Sequence, residues 1–352
     1  MDKYLISQQA SLLEALEQLN SLSGDVMTLV TLDREGRMAG TLTDGDIRRG
    51  LLAGYELSSA VGAVAHRKFR ALRASQTALE KIQTLREARS KGIALLPELD
   101  ADGRIIRLID LRTVRSLLPV TALLMAGGKG ERLRPLTLTT PKPLLKIGGR
   151  AIIDYNIENL ARCGVSDVWV SVKYLADQMR EYFATERHGI HARCVEETMP
   201  LGTIGAASLI DLPEEGDTLV MNSDLLTTID LEEMYLHHKQ EQADITIAAV
   251  PYTVSVPYAI LKTDGPQVKR MEEKPTYTYF ANAGIYLFSN RILATLQPNE
   301  RVDAPDFIEA AINGGFRATY YPINGTWIDI GSPEEFRHAE DIMKHHRQFG
   351  SR

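Results

Sequence analysis

Three glycines, Gly127, Gly128 and Gly130, directly follow the short apolar run Val120 to Met125. The run reads as a core strand, and the glycines let the chain behind it turn tightly and aim backbone N–H groups at an anion. Between Gly127 and Arg150 the charged residues are Lys129, Arg132, Arg134, Lys142, Lys146 and Arg150 against the single acid Glu131. This is a local +5 in a chain of formal net charge −6. Such a loop suits polyphosphate. It is not a Walker loop, because Lys129 is followed by Gly130 instead of Ser or Thr. It is not a dinucleotide fingerprint either, because Leu133 stands where the third glycine belongs.

Two aspartates occur where strands should end, Asp224 in the segment 219–227 and Asp329 in the segment 326–332. Magnesium takes oxygen ligands, and few need come from protein when phosphates and water supply the others. A second glycine turn, Pro200 to Gly205, follows Glu196 and Glu197. A carboxylate there can accept the adjacent N1–H and N2–H donors of guanine, or bind ribose, or bind nothing.

The loop fits closely the pattern Gly-Gly-x-Gly-x-Arg-Leu-x-Pro-Leu-Thr followed by Pro-Lys-Pro, here Gly127 to Thr137 and Pro141 to Pro143. In this it resembles the sugar-1-phosphate nucleotidylyltransferases, over about Val120 to Lys344. The resemblance implies Mg²⁺-dependent attack of a sugar-phosphate oxygen on the α-phosphorus of an NTP, with pyrophosphate leaving. Positioning and electrostatics supply most of such catalysis. Arg132 suits a bidentate grip on the β- and γ-phosphates, and Lys142, between two prolines, supplies a point charge for the α-phosphate. Met125, Ala126, Gly127, Gly128 and Gly130 would hold the nucleotide, with Gly202 and Glu197 at its base and ribose. In the resembled family, aspartates placed as Asp224 and Asp329 are bind the metal. The residue before the first is usually glycine and here is Ser223. Sugar contacts are expected from Glu273, Lys274 and Asn282, with Ala259 after Tyr258 keeping the sugar pocket open.

The elements that must position these groups follow an α/β pattern. Helical spacing at 152–163 alternates with strand-like runs at 167–172, 218–221 and 244–250, which predicts a Rossmann-like, mixed and mostly parallel sheet with ligands at the carboxyl ends of its strands. Residues 1–118 read differently. A helix at 11–22, strands at 27–32 and 38–42 around a turn at Asp33 to Gly36, and a helix from Asp46 give a pattern that returns with a helix at 79–85, strands at 93–96 and 105–109 and a turn at Asp100 to Gly103. Aligning Gly36 with Gly103 makes an internal repeat of 67 residues. The segment 40–50 resembles the end of a CBS motif, so the resemblance implies a CBS pair, or Bateman module, with copies at about 1–60 and 61–118, ahead of a transferase domain at 119–352. By that resemblance Thr43 and Asp46 would bind the phosphate and ribose of an adenine-nucleotide effector. The second copy carries Arg107, Asp110 and Thr113 opposite Gly40, Thr43 and Asp46. Assembly alone is the alternative role for the pair, and a homo-oligomer is expected through it.

Composition is that of an ordinary globular protein, 44% hydrophobic and 24% charged. A pI near 5.8 argues against nucleic acid as the partner. Cys163 and Cys194 lack metal-type spacing and read as buried thiols; the eight histidines, among them His237, His238, His345 and His346, read as surface residues. No signal peptide and no membrane span are read, which places the chain in the cytoplasm. The CBS pair with no long repeat domain after the transferase resembles guanylyltransferases acting on glucosamine or mannose 1-phosphate. The alternatives are dTTP or UTP with glucose 1-phosphate, and a regulatory subunit that keeps the fold and senses nucleotide without turnover.

Overall fold

In the computed structural model, which describes residues 1–345, the turns at Asp33 and Asp100 are one turn built twice. Asp33 Oδ1 accepts the N–H groups of Glu35 and Arg37 at 2.9 and 2.8 Å; Asp100 Oδ1 accepts those of Asp102 and Arg104 at the same distances. Each turn joins an antiparallel pair, Thr28–Leu32 with Met38–Thr43 and Leu95–Leu99 with Ile105–Asp110. In each repeat a short strand, Leu5–Ser7 or Leu72–Arg73, lies parallel to the first of the pair. Corresponding strands begin 67 residues apart, at Leu5 and Leu72, Thr28 and Leu95, Met38 and Ile105. After Asp110 the second repeat makes only a turn where the first makes the helix Asp44–Leu52.

In the first unit, Met1–Leu118, the first strand of each antiparallel pair, Thr28–Leu32 and Leu95–Leu99, is buried on both faces. On one side Leu29 and Leu42 pack with Leu12, Leu19 and Ile47 from the helices of their own repeat. On the other, Val30 and Met38 meet Leu95 and Leu99 of the sister repeat. The helices Leu12–Ser21, Asp44–Leu52 and Ala78–Ser90 each start with a capping box, formed by Ser11 with Glu14, Thr43 with Asp46, and Thr77 with Glu80. Each box satisfies backbone donors that a helix start otherwise leaves unpaired.

The second unit begins at Pro119. Its sheet has seven strands in the order Arg193–Glu196, Val168–Val172, Val120–Met125, Asp217–Asn222, Thr276–Ser289, Ile245–Ser255 and Ala318–Pro322. Only Thr276–Ser289 runs against its neighbours, so the sheet is mixed and mostly parallel. The first five residues of Val120–Met125 are buried, as expected for the continuous apolar run of a strand covered on both faces. Leu123, Val220, Ile245 and Phe288 from four strands pack with Ile292, Ala304 and Ile308 in one core. Burying each large apolar side chain contributes roughly 1.5–3 kcal/mol. Strand Val120–Met125 lies between Val168–Val172 and Asp217–Asn222: the chain runs outward from it through Val168–Val172 to Arg193–Glu196, then crosses back to Asp217–Asn222 on its other side. Such a switch point opens a crevice at the strands' carboxyl ends.

Two sequence expectations are corrected here. His238 is buried, 1% exposed, because both ring nitrogens are used: Nδ1 lies 2.8 Å from Thr246 Oγ1 and Nε2 3.3 Å from Asp217 Oδ1. Cys163 is buried but Cys194 only half-buried, lying on the edge strand Arg193–Glu196. His346 lies outside the described residues. Among the described residues no helix is long and apolar enough to cross a membrane.

Candidate active site

The strand registers bring the chemistry to one edge of the sheet. Met125 is level with Ser171 on one side and Asn222 on the other, and Val172 is level with Glu196. Just past these ends stand Gly127, Lys173, Asp224 and Glu197. A cleft of ≈ 390 Å³ at this edge is lined by Met125, Ala126, Gly128, Gly130, Arg132, Lys142, Asp224 and Gly331, among others.

The glycine loop is held from below by Thr137, which is buried and donates its hydroxyl to the Gly130 carbonyl at 2.8 Å. Gly130 has φ +60°, and a Cβ there would lie 2.9 Å from Thr137 Cγ2 and 3.2 Å from Lys142 Cβ. The glycine thus permits both the turn and the approach of Lys142. Ser223 is buried, and its hydroxyl donates to the Met125 carbonyl at 2.6 Å, so the departure from glycine adds a bond that ties two strand ends together.

Asp224 and Asp329 meet through a two-stranded antiparallel ribbon, Leu225–Thr227 with Trp327–Asp329, in which Leu225 lies opposite Asp329. Lys142 donates to Asp224 Oδ2, and its Nζ is 4.0 Å from Asp329 Oδ1. Asp224 Oδ1 is buried and has no hydrogen-bond partner among the described residues. Burial pushes the Asp329 carboxyl above the usual range, and the negative charge of Asp224 pushes it further. A buried, unpartnered carboxylate oxygen beside a second carboxylate that resists ionisation fits a divalent cation. Asp224 and Asp329 would hold it, with phosphate and water filling its remaining positions. No cluster of three or more such ligands occurs among the described residues. Arg132 makes no ion pair among the described residues, and its Nη2 lies 3.0 Å from where a Cβ of Gly331 would be. It also draws the Asp329 pKa downward, more weakly than Lys142 does.

Other expected site residues lie around this centre, not in the cleft lining. Glu197 is buried, accepts the Leu201 N–H on Oε2 at 3.1 Å, and presents Oε1 2.8 Å from where a Gly127 Cβ would sit. Glu196 is instead paired with Arg180 on the surface. Gly202, φ +79°, faces the backbone of Val302, whose carbonyl would be 2.4 Å from an added Cβ. The turn is clamped there by Thr203 N–H to Asp303 Oδ1 and Ala304 N–H to Thr203 Oγ1. Glu273 and Lys274 are exposed, and Lys274 has φ +41°. Asn282 accepts the Gly284 N–H at 2.9 Å and donates to Tyr286 Oη at 2.8 Å. A Cβ on Gly284 would touch Asn222 Nδ2 at 2.5 Å, and Trp327 Nε1 donates to the Ala283 carbonyl at 2.9 Å. The segment 282–284 is therefore fixed against both aspartate-bearing segments. Sequence reasoning missed the roles of Lys173 and Gly331, which depend on contacts between distant segments, and placed Thr137 in the loop pattern without a role.

A doubly wound sheet with a glycine turn, paired basic side chains and two carboxylates at its switch point defines a class that handles nucleotides. Residues 121–345 match the nucleotidyl transferase family, and the chain belongs to that family. The mannose-1-phosphate guanylyltransferase catalytic subunit beta of Dictyostelium discoideum is 33% identical over 228 residues, 61% of this chain and 62% of that protein. The mannose-1-phosphate guanyltransferase of Yarrowia lipolytica is 32% identical over 225 residues, 61% of each chain. The match thus spans less than two thirds of these relatives. A Bacillus anthracis crystal structure assigned as a glucose-1-phosphate thymidylyltransferase, in complex with sucrose, shares the fold. Its TM-score is 0.52 at 19% identity, covering 66% of this chain and 98% of that one.

Proposed function

We propose that the protein transfers a guanylyl group from GTP to a mannose- or glucosamine-type sugar 1-phosphate, giving a GDP-sugar and pyrophosphate. The observation that carries this is the convergence of the glycine loop, Arg132, Lys142 and Asp224 on one cleft, with Asp329 4.0 Å from the Lys142 ammonium. The guanylyl preference draws on relatives named as mannose-1-phosphate guanylyltransferases and on the buried Glu197.

In this reading a sugar-phosphate oxygen forms a bond to the α-phosphorus as the bond from that phosphorus to the bridging β-oxygen breaks. Lys142 neutralises charge at the α-phosphate, and Arg132 grips the departing pyrophosphate. Mg²⁺ held by Asp224 and Asp329 would supply charge neutralisation at the phosphates. The backbone of Gly127, Gly128 and Gly130 orients the triphosphate, and the sugar phosphate is held by Asn282 from the neighbouring antiparallel strand and by Glu273 and Lys274 from the bend before it. The first unit is read as a CBS pair that binds an adenine nucleotide at Thr43 and Asp46 and joins copies of the chain. Its repeated topology supports a paired module. Product analysis tests the main reading: GTP and mannose 1-phosphate or glucosamine 1-phosphate should yield a GDP-hexose detectable by mass spectrometry. A product only with dTTP or UTP and glucose 1-phosphate would replace it.

A further inference from the structure

Lys173 and Glu197 stand one residue past the ends of two adjacent parallel strands whose Val172 and Glu196 are level. Lys173 Nζ donates to the Glu197 main-chain carbonyl at 3.2 Å, its one hydrogen bond among the described residues. The Lys173 Cβ and Glu197 Oε1 lie 3.4 and 2.8 Å from where a Gly127 Cβ would sit. Glu197 is 6% exposed, and no donor among the described residues reaches its Oε1. An ammonium with unspent hydrogens, held at the Glu197 main-chain carbonyl, and a carboxylate oxygen without a donor therefore belong to two side chains that both border the glycine turn and are not paired with each other.

Strand order shows what belongs there. The groups at the sheet edge run Glu197, Lys173, the glycine turn, Asp224. With neighbouring strands about 4.8 Å apart, the strand that leads to Glu197 is about 14 Å from the one that leads to Asp224, and the Glu197 carboxylate reaches back from it to the glycine turn. A triphosphate held by Arg132, Lys142 and Asp224 leaves its nucleoside on the Lys173 side, because the strand beyond Asp224 carries Asn282.

We propose that Lys173 is a specificity-determining residue that reads the base, donating to the C6 carbonyl of guanine while Glu197 accepts from N1–H and the N2 amino group. The proposal rests on the guanylyl reading above. The guanine edge runs acceptor, donor, donor, and an ammonium beside a carboxylate is its complement. Adenine and cytosine turn an amino group toward the ammonium. Uracil and thymine satisfy it but present a second carbonyl to the carboxylate, so the same pair rejects them.

The test compares kcat/KM for GTP, 6-thio-GTP, whose sulfur is a weaker acceptor at C6, and ITP, which lacks the N2 amino group, in the full chain and in Lys173→Met. Wild type should prefer GTP over 6-thio-GTP by about tenfold or more, the scale of one charged hydrogen bond. Lys173→Met should erase that ratio, keep the preference for GTP over ITP, and keep the thermal midpoint. An unchanged 6-thio ratio, or an equal loss with all three nucleotides, would overturn the role of Lys173. A wild type that prefers another NTP would instead overturn the guanylyl reading itself. Equilibrium binding of the same nucleotides reads the ratio independently of turnover.

Discussion

Asp224 and Asp329 flank one rung of a two-stranded ribbon: Leu225 lies opposite Asp329, and the Ile330 N–H donates to the Asp224 carbonyl at 3.2 Å. The backbone thereby sets the separation of the two carboxylates, and Asp224 Oδ1 stays open to a cation while Lys142 holds Oδ2. Asp224→Asn keeps the shape and the ribbon but removes a charge. Metal-dependent turnover should fall by about two orders of magnitude or more, with the circular dichroism spectrum and thermal midpoint nearly unchanged. Retained turnover in this variant would contradict the metal role.

Gly331 is spaced for Arg132, not for backbone strain, since its φ is outside the left-handed region. Gly331→Ala places a methyl 3.0 Å from Arg132 Nη2 and should push the guanidinium off the polyphosphate. The expected result is a KM for nucleotide raised about three- to tenfold with stability within about 0.5 kcal/mol of wild type. Steady-state kinetics and urea unfolding separate the two effects.

Asp217 is 4% exposed and accepts from His238 at 3.3 Å and Lys239 at 2.5 Å. Burial pushes its carboxyl up, but the hydrogen bonds and charges of His238 and Lys239 hold it below the ordinary range. Its contribution is present above the unfolded carboxylate pKa and lost as pH falls through the lower folded value. Asp217→Asn should cost about 3 kcal/mol near pH 7, and the gap to wild type should narrow on the acid side. Urea unfolding across pH measures it.

Asp46 caps the helix Asp44–Leu52 together with Thr43, accepting the Thr43 N–H at 2.8 Å and the Thr43 hydroxyl at 2.7 Å. Asp46→Asn keeps an acceptor and removes the charge. Stability should move by no more than about 0.5 kcal/mol and turnover without effector should hold, while adenine-nucleotide affinity measured by calorimetry falls. Unchanged affinity would leave the Thr43 and Asp46 pair as a cap alone.

Much of the site was legible because glycine and proline punctuate the loop and because strands buried in a parallel sheet carry unbroken apolar runs. That logic found Val120–Met125, the glycine turn and the two strand-end aspartates. The strands Leu5–Ser7 and Leu72–Arg73 went unread because they are too short to show a period. His238 looked like a surface residue because its partners, Thr246 and Asp217, lie on two strands that only the sheet brings to it. The Ser-x-x-Glu and Thr-x-x-Glu signatures at Ser11 and Thr77 went unread, the helices there being recognised by apolar spacing alone, and Thr43 with Asp46 belongs to the same series. Lys173 carried no motif at all, and only the register beside Gly127 brings it to the site.

The most direct test incubates the purified protein and Mg²⁺ with GTP, dTTP, UTP, CTP or ATP against mannose, glucosamine and glucose 1-phosphates and measures pyrophosphate release. Release that is strongest with GTP and a mannose or glucosamine 1-phosphate, and abolished by chelating the metal, is the predicted result. Tight nucleotide binding with no release from any pair would contradict catalysis and make the cleft that of a nucleotide-sensing subunit.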